Sequence, residues 1–192
     1  MDFEHSLTQK NLAKAYISEC QDSARYALIS QKAEEAGEVF LSKKISMLSK
    51  RELAHATLIY NLLLQYGTKK MENIEITASY PFETIDVKEG LFNSSQSEKY
   101  QANNVYPDFE SIAKDEGFLE IANMFKLLSQ VENKNFEMLF YLTENLGKFH
   151  NESKILVCSN CGFEKQTKII WKKCPLCKKE KGFIEFTINK IY

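Results

Sequence analysis

Residues 128–136 read LSQVENKNF and lie in a stretch with the 3.6-residue periodicity of an amphipathic helix. The apolar stripe of this stretch contains Leu128, but the next two stripe positions are Glu132 and Asn135. An unpaired buried carboxylate is very costly, so a polar pair in the middle of a core-facing stripe requires a compensating partner. The rest of the chain indicates what that partner is.

Four long helical patterns fill the chain up to residue 146, over about 6–36, 38–66, 84–117 and 118–146. Each ends at or directly before a glycine, a common helix stop. The connections are short, then roughly 15 residues, then short, which predicts two antiparallel helix pairs joined by a crossover in a bundle. Pro107 lies within the third pattern and predicts a kink or break, because proline has no N–H to donate.

The second and fourth patterns repeat each other at an offset of 80 residues, and the first and third at an offset of 79. The stripe of the second pattern is Leu41, Ile45, Leu48, Glu52, His55, Ile59, Leu62 and Tyr66, and the stripe of the fourth is Ile121, Phe125, Leu128, Glu132, Asn135, Leu139, Leu142 and Leu146. In the first and third patterns, the aligned positions are Leu12, Glu19 and Tyr26 with Leu91, Glu98 and Val105. This self-similarity predicts a duplicated helix hairpin.

Each of the four stripes contains one glutamate, and these are Glu19, Glu52, Glu98 and Glu132. His55 follows Glu52 by three residues and therefore shares its helix face. Any one of these glutamates could be a solvated residue at a stripe edge, but four facing one core need cations. Carboxylate-bridged dimetal bundles have one glutamate on each of two helices and Glu-x-x-His on the other two. Such ligands suit iron or manganese.

Four of the five cysteines form two knuckles, Cys158-x-x-Cys161 and Cys174-x-x-Cys177, with 12 residues between them. Four thiolates in this spacing predict a tetrahedral S₄ metal site. The donor set accepts iron or zinc, so a structural zinc ribbon without electron transfer remains an alternative. Residues 150–192 carry nine lysines and four glutamates, a net charge of +5 in a chain of net charge −1, which indicates two units of different character.

The sequence has no secretory signal at its start and no apolar run long enough to span a bilayer, which predicts a cytoplasmic protein in a reducing compartment. The lysines of the C-terminal unit indicate either a solvated rim or a surface that docks on the acidic bundle of a second subunit. Nucleic-acid binding is not expected, because the chain as a whole is slightly acidic.

The combination of a carboxylate-bearing bundle with a C-terminal S₄ module resembles the rubrerythrin family. The resemblance covers nearly the whole chain and rests on motifs quoted from it: Glu19 followed by Arg25-Tyr26, Glu52-x-x-His55, Glu98 ahead of Val105-Tyr106-Pro107, residues 115–118 (DEGF), and the two cysteine knuckles. It implies a mostly α chain, with a ferritin-like four-helix bundle over residues 1–148 and a small rubredoxin-like β domain of zinc-ribbon type over residues 153–192.

The resemblance also implies a di-iron site, and its expected residues can be named from the matching positions. The bundle ligands would be Glu19, Glu52, His55, Glu98, Gln101, Glu132 and Asn135, and the single iron or zinc would be held by Cys158, Cys161, Cys174 and Cys177. Tyr26 and Tyr106 would donate hydrogen bonds to ligating carboxylates and hold their geometry. Gln101 and Asn135 depart from the family, which has glutamate and histidine there.

These two departures predict a firm metal position at Glu19, Glu52 and His55. They also predict a weakened, partly occupied position at Glu98, Glu132 and Asn135, for iron or another divalent metal. The implied function is an oxidoreductase of the NADH-linked peroxidase type that reduces hydrogen peroxide in oxidative-stress defence, weakened by Gln101 and Asn135. Its electrons would come from a redox donor protein through the Fe(Cys)₄ site, within a head-to-tail homodimer. The alternative is a non-catalytic metal-binding protein with a structural zinc tail.

Overall fold

The computed structural model describes residues 2–68, 73–80, 86–147, 154–158, 160–167, 172–180 and 184–187. The chain forms two compact units, Met1–Leu146 and Gly147–Tyr192. The predicted start of the third helix near residue 84 and the predicted boundary between residues 148 and 153 lie outside the described residues. Among the described residues, the helices are all too short or too polar to cross a bilayer.

The first unit is helical, and its elements follow the four predicted patterns. A short 3₁₀ turn, Phe3–His5, precedes α1 (Leu7–Glu35), α2 (Val39–Tyr66), α3 (Val87–Tyr100), a π-helical turn (Gln101–Val105), α4 (Tyr106–Asp115) and α5 (Leu119–Glu144). Helix α1 packs along α2, while α3 and α4 pack along α5. The prediction of a mostly helical chain with four long helical segments is therefore confirmed, with α3, the π turn and α4 forming the third segment.

The helix ends repeat in the two halves of the bundle. Gly37 after α1 and Gly117 after α4 both have positive φ, at 79° and 88°. After each glycine, a backbone N–H returns to a carbonyl five residues earlier, from Glu38 to Ala33 and from Phe118 to Ala113, both at 2.8 Å. This is the Schellman ending, which favours glycine because a Cβ is disfavoured at positive φ. Because the same glycine ending precedes both helices, α2 and α5 begin in equivalent ways in the two halves.

The third segment contains one residue more than the first between its glutamate and its terminal glycine. Glu19 and Gly37 are 18 residues apart, whereas Glu98 and Gly117 are 19 residues apart. The π turn accommodates the extra residue, since the N–H of Tyr106 donates to the carbonyl of Gln101, five residues earlier. Single-residue insertions into α-helices typically form such π bulges. The interruption expected at Pro107 is therefore a π turn that ends at Val105, two residues before the proline.

The insertion corrects one alignment made from the sequence. An offset of 79 pairs Tyr26 with Val105, but beyond the π turn the offset becomes 80 and pairs Tyr26 with Tyr106. Both tyrosines are fully buried, and Val105 is only half-buried. Tyr26 and Tyr106 are therefore the equivalent residues of the two halves.

The second unit contains a three-stranded antiparallel sheet with the order β2-β1-β3, formed by β1 (Lys154–Cys158), β2 (Glu164–Thr167) and β3 (Ile184–Thr187). The first knuckle begins at the last residue of β1, Cys158, whose N–H donates to the carbonyl of Phe163 at 2.9 Å. In the second knuckle, the N–H of Cys174 donates to the carbonyl of Lys179 at 2.8 Å. The two knuckles thus share one backbone arrangement.

Candidate metal sites

The four glutamates of the helix stripes are buried in the bundle core. Glu19, Glu52, Glu98 and Glu132 are each 1 % exposed, so they are not solvated residues at a stripe edge. Asn135 is also buried, and His55 is partly buried with 16 % of its side chain exposed. Burial of four carboxylates in one core requires either protonation or bound cations.

Three carboxylates surround the imidazole of His55. Its Nδ1 lies 2.9 Å from Glu52 Oε2, 3.2 Å from Glu19 Oε2 and 3.3 Å from Glu132 Oε1. One ligand atom from each of these four residues lies within 4.8 Å of all the others. We refer to Glu19, Glu52, His55 and Glu132 as the histidine cluster.

The histidine cluster fits a divalent metal ion. The imidazole Nδ1 can carry only one proton, and its nearest acceptor is Glu52 Oε2. Glu132 Oε1 is buried and has no hydrogen-bond partner among the described residues, although it faces the same point. A buried orphan oxygen beside two other carboxylates and one imidazole is the environment that a hard divalent cation such as iron or manganese satisfies.

Asn135 approaches the same carboxylates from the other side. Its Nδ2 donates to Glu52 Oε1 at 3.0 Å and to Glu132 Oε2 at 2.7 Å. Glu52 and Glu132 therefore each have one oxygen toward His55 and the other toward Asn135. The structure places Glu132 within the histidine cluster, while the sequence assigned it to the weakened position with Glu98 and Asn135.

Two tyrosines hold the remaining carboxylates across the bundle. The hydroxyl of Tyr106 donates to Glu19, and the hydroxyl of Tyr26 donates to Glu98. Each tyrosine therefore contacts the glutamate of the other half, as expected for equivalent residues of a duplicated hairpin. Burial and the facing carboxylates raise the pKa of both tyrosines well above the ordinary value, so both remain protonated donors.

Asp22 was not predicted as part of the site, although it contacts Gln101, one of the residues predicted as a metal ligand. Asp22 Oδ2 accepts from Gln101 Nε2 at 2.8 Å, and Asp22 Oδ1 lies 3.0 Å from an Arg25 guanidinium nitrogen. The signal was present, because Glu19-x-x-Asp22 has the same spacing as Glu52-x-x-His55. Asp22 and Gln101 are also equivalent at the offset of 79, so they form a contact between the two halves.

The metal-free carboxylates hold protons strongly. Burial raises the pKa of Glu52 to about 9 despite its hydrogen bond with His55, and the charges of Glu132 and Glu19 add to the rise. Burial likewise raises the pKa of Glu98, followed by the charges of Glu132 and Glu52. Burial lowers the pKa of His55, but the three facing carboxylates outweigh it and raise that pKa to about 12. A cation would replace these protons.

The four cysteines of the knuckles form the second site. Their Sγ atoms all lie within 4.8 Å of one another, with 3.6 Å between Cys158 and Cys177 and 3.7 Å between Cys161 and Cys174. The backbone N–H of Lys179 is the main cause that lowers the pKa of Cys177 to about 6, which favours its thiolate. This S₄ donor set fits iron or zinc.

The fold and the two donor sets define a helix-bundle metal protein with a carboxylate-rich core and an attached S₄ unit. The family model described as Rubrerythrin matches residues 10–142. The chain therefore belongs to the rubrerythrin family, whose members are non-haem iron proteins.

Individual relatives agree over most of their length. The chain is 30 % identical to the rubrerythrin of Clostridium perfringens over 189 residues, covering 93 % of both chains, and 26 % identical to that of Nitratidesulfovibrio vulgaris over 185 residues, covering 94 % of both. It is also similar to the solved structure of nigerythrin in a mixed-valent state, with a TM-score of 0.65, 22 % identity, and coverage of 94 % of this chain and 86 % of that one. That similarity supports the ferritin-like fold of the family.

Proposed function

We propose that this protein reduces hydrogen peroxide to water at the histidine cluster, with electrons that arrive through a metal in the cysteine site. The observation that carries the proposal is the presence of two different donor sets in one chain of this family. The histidine cluster offers oxygen and imidazole ligands, and the second unit offers four thiolates. The former suits a metal that binds oxygen species, and the latter suits an iron that transfers single electrons.

The residues of the bundle would prepare the cluster for this reaction. Glu19, Glu52, His55 and Glu132 would hold the ion, which when bound supplies redox chemistry at an otherwise inert set of side chains. The Tyr106 hydroxyl fixes the orientation of Glu19 through its hydrogen bond. The carboxylates are almost fully buried, so bulk water has little access to them.

The proposal extends to the second unit and to the assembly. The S₄ knuckles and the three-stranded sheet would form a rubredoxin-like domain whose iron receives electrons from a redox donor protein. A head-to-tail homodimer would bring this unit to the bundle of the partner subunit, and exposed Lys172, Lys173, Lys178 and Lys179 suit docking on an acidic surface. Four reduced thiols suit a cytoplasmic location.

The reaction can be tested through the colour of the cysteine site. Iron-loaded protein is reduced without oxygen, which bleaches the ferric S₄ absorption, and is then mixed with hydrogen peroxide in a stopped-flow instrument. The colour is expected to return at least about ten times faster in the natural protein than in Glu52→Ala, which lacks a cluster ligand. Equal rates in the two proteins would show that the bundle does not reduce peroxide.

A second function is favoured by Asn135 and Gln101, which offer neutral amides where the family has stronger ligands. The protein would then bind metal without turnover, and the cysteine site would be a structural zinc site. Metal analysis of protein produced with both metals present separates the two functions. Zinc in the cysteine site, with no incorporation of iron, would favour the second function.

A further inference from the structure

Glu52 and Glu132 divide the bundle core into two sides with different chemistry. Their oxygens Glu52 Oε2 and Glu132 Oε1 face His55, at 2.9 and 3.3 Å from its Nδ1. Their other oxygens, Glu52 Oε1 and Glu132 Oε2, accept from Asn135 Nδ2 at 3.0 and 2.7 Å. An ion on each side would be bridged by these two carboxylates, so the question is whether the Asn135 side admits one.

The amide of Asn135 already fulfils the role of a cation on its side. The structure places the NH₂ of Asn135 toward the two carboxyl groups, where one oxygen of each accepts a hydrogen bond from it. Its two hydrogens match the two carboxylate oxygens, so Asn135 Nδ2 is fully satisfied. An amide nitrogen has no free electron pair for a metal, in contrast to an imidazole.

Binding of an ion on this side would require Asn135 to turn. Its oxygen would then face the ion, and its NH₂ would lose both acceptors in a position that is only 2 % exposed. A buried donor that loses its partners carries the full cost of its desolvation. The histidine side has no such cost, because its orphan atom, Glu132 Oε1, gains a partner when an ion binds.

The remaining residues predicted as ligands of a second ion, Glu98 and Gln101, are also engaged. Glu98 accepts the hydroxyl of Tyr26, shares a hydrogen bond with Glu132, and is outside the group of four residues whose ligand atoms converge. Gln101 has its amide nitrogen on Asp22, at 2.8 Å, and Asp22 is in turn paired with Arg25 at 3.0 Å. Besides Glu52 and Glu132, a second ion would therefore find one carboxylate, Glu98, and two neutral amides.

We infer that the bundle binds a single divalent metal ion, in the histidine cluster, and that the NH₂ of Asn135 takes the place of a second ion between Glu52 and Glu132. The site would thus be mononuclear, whereas the resemblance to the family implies a pair of metals. The inference concerns metal stoichiometry and does not depend on whether peroxide is the substrate.

The inference is tested by counting Mn²⁺ ions in the full-length protein with zinc in its cysteine site. Calorimetric titration gives the number bound, and electron paramagnetic resonance distinguishes an isolated Mn²⁺ from an exchange-coupled pair. One Mn²⁺ per chain with an uncoupled spectrum is expected. Two ions of comparable affinity with a coupled spectrum, or no binding, would overturn the inference.

Variants assign the result to Asn135. Asn135→His is expected to bind two Mn²⁺ with a coupled spectrum, while Asn135→Leu, of similar size and without a ligand atom, should still bind one. If a folded Asn135→His protein binds only one, Asn135 is not what excludes the second ion and the inference fails. Asn135→Asp is likewise expected to bind two Mn²⁺, and it replaces Asn135→His in the test if Asn135→His does not fold. The peroxide assay at the cysteine site is read separately, so the proposed function can fail without affecting this count.

Discussion

The two halves of the bundle share a backbone plan but differ in the residue three positions after each glutamate. Helix α2 has His55 after Glu52, and α5 has Asn135 after Glu132. Both side chains contact the same two carboxylates, the first through a nitrogen that can bind a metal and the second through one that cannot. The comparison shows that two halves with one backbone plan can present a metal ligand in one half and a hydrogen-bond donor in the other.

The third helical segment shows a related divergence. Asp22 on α1 and Gln101 at the start of the π turn are equivalent positions, and they now bind each other at 2.8 Å. One half provides a buried carboxylate, and the other provides the amide that donates to it. The contact couples the halves without requiring a metal at either residue.

Removal of the His55 imidazole should have the largest effect on the comparison. His55→Ala is expected to reduce Mn²⁺ affinity of the bundle by more than about 100-fold, the upper end of what loss of an outer-shell partner costs. Isothermal titration of zinc-loaded protein measures the change. His5→Ala is the control, since His5 is exposed on the 3₁₀ turn and contacts only Asp2 among its described ion-pair partners. Unchanged affinity in His55→Ala would contradict the assigned site.

The two tyrosines allow a matched test of the halves. Tyr106→Phe removes the donor to Glu19 of the histidine cluster and should weaken Mn²⁺ binding by roughly 10-fold or more. Tyr26→Phe removes the donor to Glu98 and should change the affinity by less than about 3-fold, because Glu98 lies outside the cluster. Titration of both variants gives the comparison. Equal losses would show that Glu98 also binds the ion.

Omission of Mn²⁺ should lower the stability of the bundle more at pH 8.5 than at pH 6.5. The pKa of Glu52 is about 9 in the folded metal-free protein against an ordinary 4.5, and that of His55 is about 12 against 6.5. Between about pH 6.5 and 9 the folded state thus binds more protons than the unfolded state, so its stability falls as pH rises.

The effect is measured as the difference in Tm between Mn²⁺-loaded and Mn²⁺-free protein, with zinc in the cysteine site throughout. This difference should grow by on the order of 10 °C from about pH 6.5 to pH 8.5. Two groups that each retain about one more proton over two pH units contribute about 5 kcal/mol, and 1 kcal/mol corresponds to roughly 2–4 °C in a chain of this size. A difference independent of pH would mean that protons do not replace the cation in the metal-free core.

The smallest expected effect concerns the two cysteine knuckles, which differ at one residue. The first has Gly162 with φ 70° after its second cysteine, and the second has Lys178 with φ 60°. A side chain at positive φ costs about 1 kcal/mol, so Lys178→Gly should slow the loss of metal to a chelator by about 5-fold. Lys172→Gly is the control at an exposed position, and it should bring no such gain. Faster loss from Lys178→Gly would show that the lysine supports the knuckle.

The helices and the buried glutamates were predictable because both depend on local spacing. A glutamate that lies three or four residues from apolar stripe positions is on the core face of its helix, regardless of what packs against it. The π turn was also encoded, since the offset between the halves changes from 79 at Glu98 to 80 at Gly117. Without the backbone, however, that extra residue could be placed anywhere between them, which led to the pairing of Tyr26 with Val105.

The division of the core between metal and amide could not be predicted from the sequence. Whether Asn135 offers oxygen or nitrogen depends on the groups that face it from α2 and α5, and only the assembled bundle brings Glu52 and Glu132 to one amide. The role of Asp22 likewise depends on its contact with Gln101, 79 residues away. Both are tertiary contacts that helix periodicity does not specify.

The central claim is that one side of this core binds a metal and the other does not. Anomalous diffraction at the iron edge from crystals of iron-loaded protein tests it most directly, because it locates each ion. We predict one bundle peak among Glu19, Glu52, His55 and Glu132, with no peak on the side of Glu52 and Glu132 that faces Asn135. A second peak of similar height on the Asn135 side would contradict the claim.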